Sequence, residues 1–282
     1  MPSVGVQVVT RVPITFEAAD RRTHAPLVSG SVGGIETLLI LDTGSEVHIL
    51  TKELVDRLGL EVEEGEEGID HSGATMPSWS VADVGLTLGA AELTLRDIVS
   101  IPAPAPFVTG GIGGGLSPQH LHPTAAVVID LAANELLLAE GDDDEIAAWL
   151  DERSPSLTTL SLEQDPSFTT VVVPAAIRPF DEMPVLINTG GKRTEFSRSA
   201  VPGLGVGSEE RLGAGVSGAD VIGSSAGAQV IAVAGHEVPV EELAVRETMH
   251  DPQGMVGMDV LPGTVVACAA ERSRRVFWQI PA

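Results

Sequence analysis

The stretch LLILDTGSEVHIL, Leu38 to Leu50, carries four apolar residues straight into Asp42-Thr43-Gly44-Ser45 and then returns to the apolar pair Ile49-Leu50. A short apolar run closed by Asp and Gly reads as a buried strand ending in a tight turn. A carboxylate at such a place keeps its charge only where hydrogen-bond donors surround it. Gly44 lets the backbone fold closely enough to offer N–H groups, and Thr43 supplies a hydroxyl. Nearly the same wording returns in PVLINTGG, Pro184 to Gly191, where Asn188 stands 146 positions after Asp42.

Other landmarks repeat in the same order. GGIGGGLSP holds Ile112-Gly113, and GMVGMDVLPG holds Val256-Gly257, with Gly257 144 positions after Gly113. AAVVIDLAANELLLAE (Ala125 to Glu140) and TVVACAAERSRRVFWQI (Thr264 to Ile280) each read as strand, polar turn, strand. Recurrence at a nearly fixed spacing predicts two homologous lobes. The expected division is an N-terminal lobe over 1–141, a linker with a short helix over 142–165, and a C-terminal lobe over 166–282. In the linker, Asp142 to Asp144 suit the N-terminus of a helix running through Leu150, and Ser154-Pro155 ends it. In the first lobe, TKELVDRLGL reads as an amphipathic helix with Leu54, Val55 and Leu58 on one face. GIDHSGATMPSWSVADVGLTLG reads as a hairpin with its tip at His71-Ser72-Gly73-Ala74, and GAGVSGADVIGSSAGAQVIAVAGHEV lies in the corresponding interval of the second lobe.

Composition narrows the class. Apolar residues make up 43% of the 282, so the chain can bury a core, and aromatics are only 3%. Val, Ile and Thr runs broken by the 31 Gly and 19 Pro favour many short strands. A net charge of −24 argues against nucleic acid as a partner, since phosphates need Lys and Arg to displace their counterions. The one cysteine, Cys268, has apolar neighbours and cannot form an internal disulfide. Arg11 and Glu17 interrupt any signal-like start and no apolar run reaches membrane-spanning length, so a cytoplasmic location with no membrane contact is the expectation.

On Asp42-Thr43-Gly44-Ser45, Asn188-Thr189-Gly190 and the two hydrophobic-Gly pairs, the sequence resembles the aspartic peptidases, both pepsin-like and retropepsin-like. The resemblance implies an all-β bilobal fold: two lobes related by a pseudo-twofold axis, with a few short helices, no metal and no cofactor. It implies a cleft for a peptide or protein between the lobes and a flap at His71 to Ala74 closing it. It also implies that Thr43 and Thr189 bond across the seam and that Ser45 supports the Asp42 carboxylate. The departure is Asn188. The family's mechanism shares one proton between two carboxylates, because like charges about 3 Å apart cannot both ionise. An amide donates a hydrogen bond through its NH₂ but takes no proton.

Other signals fall short. GGKRT at Gly190 to Thr194 lacks the hydroxyl and upstream glycine of a phosphate loop, and TGGIGGG lacks the helix and acidic partner of a dinucleotide site. His120 and His122 lack neighbouring carboxylates or thiols for a metal, and His48 reads as a structural histidine beneath the Asp42 turn. Three functions stay open on the sequence. One is a peptidase weakened by Asn188, or completed by a homodimer that sets Asp42 against Asp42. Another is an inactive relative, monomeric or not, that binds a peptide or protein. The last is a structural module.

Overall fold

The computed structural model describes residues 5–18, 21–164, 169–247, 252–270 and 275–281. The expected boundary at 165/166, and the polar turn at 271–274, lie outside them. The chain is mostly β-strand with three short α-helices among the described residues. None of these helices is long and apolar enough to cross a membrane.

Six antiparallel strands form the middle of the molecule, in the order Leu157–Glu163, Arg275–Pro281, Val265–Cys268, Ala126–Asp130, Glu135–Glu140, Gln7–Thr15. Three come from each half of the chain. The halves join where Ala126–Asp130 pairs with Val265–Cys268, Val127 opposite Cys268 and Asp130 opposite Val265. The four inner strands read as near-continuous apolar runs because both faces are covered, whereas the outer two, Leu157–Glu163 and Gln7–Thr15, partly alternate. One face, with Val128, Leu137, Ala267 and Phe277, packs under Ile146 and Leu150. Those two belong to the helix Asp143–Arg153, which Asp142 and Glu145 close with a reciprocal capping box. The other face, with Val127, Ile129, Leu138, Val266 and Trp278, merges into the main core. Cys268 lies in that core, and burial pushes its thiol up to about 12, so it is an inert apolar residue. The segment read as a linker thus contributes both the covering helix and an edge strand of the shared sheet.

Each half then builds the same crossing. In the first, Ile35–Leu41 runs parallel to Ile112–Leu116, which pairs antiparallel with His48–Thr51, itself parallel to Ile98–Ile101. In the second, Met183–Ile187 runs parallel to Gly254–Val256, antiparallel to Glu195–Ser197, which lies parallel to Ala244–Arg246. Leu39 and Leu41 in one half, and Val185 and Ile187 in the other, alternate into the core and anchor the strand that feeds each turn. Between His48–Thr51 and the strand Ile98–Ile101, the helix Lys52–Leu58 starts on the Thr51 hydroxyl and buries Leu54 and Val55. The glycine run has a packing cause: a Cβ on Gly114 would sit 2.0 Å from the Ile49 carbonyl oxygen. Gly114→Ala is therefore expected to lower unfolding free energy by about 3 kcal/mol, read from urea midpoints.

Candidate active site

The two turns meet at the seam. Thr43 and Thr189, both fully buried, exchange bonds in a closed set. Thr43 N–H donates to Thr189 Oγ1 at 3.1 Å and Thr189 N–H donates to Thr43 Oγ1 at 3.0 Å. Each hydroxyl donates in turn to the strand of the other half, Thr43 to the Ile187 carbonyl at 2.5 Å and Thr189 to the Leu41 carbonyl at 2.6 Å. Asp42 and Asn188 flank this knot. A Cβ on Gly44 would lie 2.5 Å from Asn188 Cγ, and one on Gly190 would lie 2.4 Å from Asp42 Cγ. Each side chain thus rests on the other turn's glycine.

Asp42 Oδ1 accepts from Gly44 N–H at 2.9 Å. Desolvation raises the pKa of this carboxyl above the usual range, although its outer surface reaches solvent. The amides of Gly44, Gly190 and Ser45 and the charge of His71 oppose that rise only in part. Asn188 Oδ1 accepts from Gly190 and Gly191 N–H, both at 2.9 Å, which fixes the amide so that Nδ2 points to Met255 Sδ at 3.0 Å. Ser45 differs from the expectation. Its Oγ donates to the Val47 carbonyl at 2.7 Å, so only its backbone assists Asp42. The tight turn points that hydroxyl down the following strand.

The hydrophobic-Gly pairs are not equivalent in space. Asn188 N–H donates to the Val256 carbonyl at 2.9 Å, and Asp42 N–H donates to that of Leu116, also at 2.9 Å. Leu116-Ser117 therefore answers Val256-Gly257, and Ile112-Gly113 lies upstream at the start of the same strand, where Ile112 pairs with Leu38. The amide that follows is held differently in each half. Gly257 N–H donates to Thr194 Oγ1 at 3.2 Å, and that hydroxyl donates to Asp259 at 2.8 Å. Ser117 N–H instead donates to His48 Nδ1 at 3.1 Å, which leaves Nε2 to carry the proton toward the His120 carbonyl at 3.3 Å. Burial lowers the His48 pKa to about 4. His122 Nδ1 accepts from the Ala125 amide at 2.8 Å, and no cluster fit for a metal occurs among the described residues.

The hairpin Gly68–Ile69/Thr75–Met76 carries its tip across the seam to the hairpin Glu209–Ala214/Asp220–Ser225. The tips are built alike. Gly73 N–H bonds the Asp70 carbonyl at 2.9 Å, Gly218 N–H bonds that of Gly215 at 3.0 Å, and Ser-Gly-Ala follows in both. Asp70 Oδ1 accepts from Ser72 N–H at 2.8 Å, and Oδ2 accepts from Ser217 N–H of the other tip at 2.8 Å. A Cβ on Gly215 would fall 2.0 Å from Asp70 Oδ2, so this glycine makes room for the carboxylate. Burial alone would raise the Asp70 pKa, but the bonds from Ser217 and Ser72 outweigh it and hold the carboxyl below its usual range. Beside it, His71 Nε2 lies 3.1 Å from both Glu195 Oε2 and Arg246 Nη1, and Glu195 and Arg246 are almost wholly buried. Asp70, Glu195, Arg246 and Ser217 were not singled out from the sequence. The repeated Ser-Gly-Ala, 145 positions apart, was the available signal.

Two lobes that share one sheet, each sending a strand-borne turn to the seam beneath a hairpin, define an all-β bilobal fold of the aspartic-protease type. A family model described as aspartyl protease matches residues 28–113, which span the Asp42 turn and the first hairpin. That match, over residues 28–113, and the fold support membership of the aspartic peptidase superfamily. The Asn188 turn lies outside the matched residues. No curated protein matches the chain.

Two outcomes follow from the seam. Thr43→Val removes an acceptor and a donor while leaving the Thr189 amide buried and unpaired, so stability should fall by about 2–4 kcal/mol in chemical denaturation. His48 stays neutral in the fold down to pH about 4 but protonates at its ordinary 6.5 when unfolded. Its contribution is therefore whole above pH 6.5 and is lost as pH falls from 6.5 to about 4. The loss amounts to roughly 3 kcal/mol. His48→Gln should flatten the acid limb of stability against pH by that amount relative to wild type.

Proposed function

We propose that this chain is an aspartic-type peptidase of the interlobe cleft that works slowly, with Asp42 as the one carboxylate of the Asp-Thr-Gly-Ser and Asn-Thr-Gly-Gly turns. The observation that carries the reading is the mutual packing of Asp42 and Asn188 on each other's glycine turn beneath a hairpin roof. An extended peptide lying between that floor and roof would bring its carbonyl against both side chains. Ionised Asp42 takes a proton from a water as the water oxygen bonds to the carbonyl carbon. The second hydrogen of Asn188 Nδ2 donates to the carbonyl oxygen as it gains charge. The proton on Asp42 then passes to the leaving nitrogen as the C–N bond breaks. A second carboxylic acid would give its proton to the carbonyl oxygen outright, and an amide cannot. That loss is worth about 10²–10⁴ in rate.

Gly190 of the same chain fills the seat that a second chain's Asp42 turn would take, so this reading needs no dimer. The recurring strand pairings support an origin by internal duplication. A second reading, an inactive cleft that binds a peptide or protein, draws on one observation: Asn188 Nδ2 is engaged with Met255 Sδ.

Cleavage of internally quenched peptides between pH 4 and 8 tests both. Weak wild-type activity is expected, abolished in Asp42→Ala and raised about 10²–10⁴-fold in Asn188→Asp. It should fall on the acid side as Asp42 protonates, above the normal carboxylate range because desolvation raises its pKa. A silent wild type with an active Asn188→Asp gives the binding reading. Silence in every form, or cleavage that survives Asp42→Ala, overturns the peptidase.

A further inference from the structure

Under the tip of the first hairpin lies a polar site that the catalytic proposal does not use. Glu195 and Arg246 line it from neighbouring strands of the second half, Glu195 beside Ala244 in the parallel ladder. Their side chains are 5% and 9% exposed, yet Arg246 Nη1 stands 3.5 Å from Glu195 Oε2, a loose ion pair. The closer partner of each is His71 Nε2, at 3.1 Å from both atoms. His71 comes from the other half, at a hairpin tip, and is 39% exposed. At the same place in the first half, seven residues after the Asp42 turn begins, stands apolar Ile49.

The imidazole can serve both neighbours only as a donor on one side and an acceptor on the other: Nε2–H donates to Glu195, and Nδ1, 3.4 Å from Arg246 Nη1, accepts. The site therefore offers one acceptor and one donor, 3.5 Å apart, to a plug that satisfies them in turn. The pair is net neutral, so charge alone selects nothing. A lysine would pair with Glu195 but repel Arg246, and a glutamate would do the reverse. An apolar side chain would leave both buried groups with only their loose mutual contact, which costs affinity. A carboxamide meets both demands at once: its NH₂ donates to Glu195 while its carbonyl accepts from Arg246.

We propose that Glu195 and Arg246 form a specificity subsite for a carboxamide side chain, Gln or Asn, of a peptide in the cleft, and that His71 occupies it in the free protein as a built-in surrogate. This rests on the reading of the cleft as a peptide site. A ligand that enters beneath the tip displaces His71 and takes over its two contacts. His71 is thus a competitor, and the hairpin that bears it is both lid and plug.

The test uses fluorescent peptides of Val, Ala and Thr in which one Gln, norleucine, Lys or Glu is placed at each position in turn. Binding to the full chain is followed by anisotropy. At one position only, Gln should bind wild type about tenfold tighter than norleucine, Lys or Glu. His71→Ala, a change at an exposed tip, should tighten the Gln peptide by about tenfold because the competitor is gone. The double variant Glu195→Leu/Arg246→Met leaves no unpaired buried charge, so it should fold as judged by circular dichroism and lose the Gln preference. Equal binding of the four peptides at every position, preference for Lys or Glu, persistence of the Gln preference in the double variant, or no tightening in His71→Ala overturns the proposal. If none of the peptides binds wild type or His71→Ala, the peptide-cleft reading itself fails and takes this inference with it.

Discussion

The molecule depends on the reciprocal bonding of Thr43 and Thr189. The shared sheet holds the halves together over a wide area, but a sheet tolerates small slips that a reactive centre does not. The threonine knot removes that freedom. Each amide and each hydroxyl donates across the seam, to the other hydroxyl or to the Leu41 and Ile187 carbonyls at the ends of the strands that feed the turns. All four donors are neutral and every one is satisfied, so the knot can be fully buried without a desolvation debt. Any displacement of one turn relative to the other breaks several bonds at once in a place that water does not reach.

This arrangement explains why the second half can carry an amide without disturbing the fold. The backbone N–H groups of Gly190 and Gly191 need an acceptor, and Asn188 Oδ1 supplies it as a carboxylate oxygen would. The atom that differs, Nδ2, faces the polarisable sulfur of Met255. Two carboxylates at this spacing would repel unless they shared a proton. With one replaced, Asp42 meets desolvation but no like charge. The scaffold therefore keeps its geometry whether or not the second position can transfer protons. Shape and chemistry at the seam are separable.

What the sequence made legible was local. The apolar run ending in Asp-Thr-Gly, the helix after Thr51, the acidic cap at Asp142 to Asp144 and the hairpin tip at His71 to Ala74 all depend on residues within one or two turns of each other. The pairing of Ile112-Gly113 with Val256-Gly257 failed because GGIGGGLSP offers several glycines that look alike, and only the parallel ladder beside Ile35–Leu41 shows that Leu116 reaches the Asp42 amide. Ser45 assists Asp42 through its backbone and not its hydroxyl, because a motif specifies a residue type and not a rotamer. The cluster of Asp70, His71, Glu195 and Arg246 was invisible for another reason. Its contacts between the halves span 124 and 175 positions, and Glu195 breaks the repeat by standing where Ile49 stands in the first half. A difference between repeats looks like drift until the partner that it meets is known.

The contacts between the halves fall into two kinds, and the difference sets which of them can move. The threonine knot beneath Asp42 and Asn188 is neutral, dry and made of short bonds between backbone and hydroxyl. The roof is ionic and partly wet: Asp70 with Ser217 at one point, and His71 with Glu195 and Arg246 at another. Ionic contacts with one exposed member weaken in salt and with changes of protonation, whereas buried neutral bonds respond to neither. The roof also hangs on two-residue strands, Gly68–Ile69 and Thr75–Met76, that pair only with each other. A short hairpin outside the main sheets opens at low local cost, while the floor opens only when the halves part. On the peptidase reading, a peptide that reaches Asp42 from above must first replace the contacts that the tip makes with the second half.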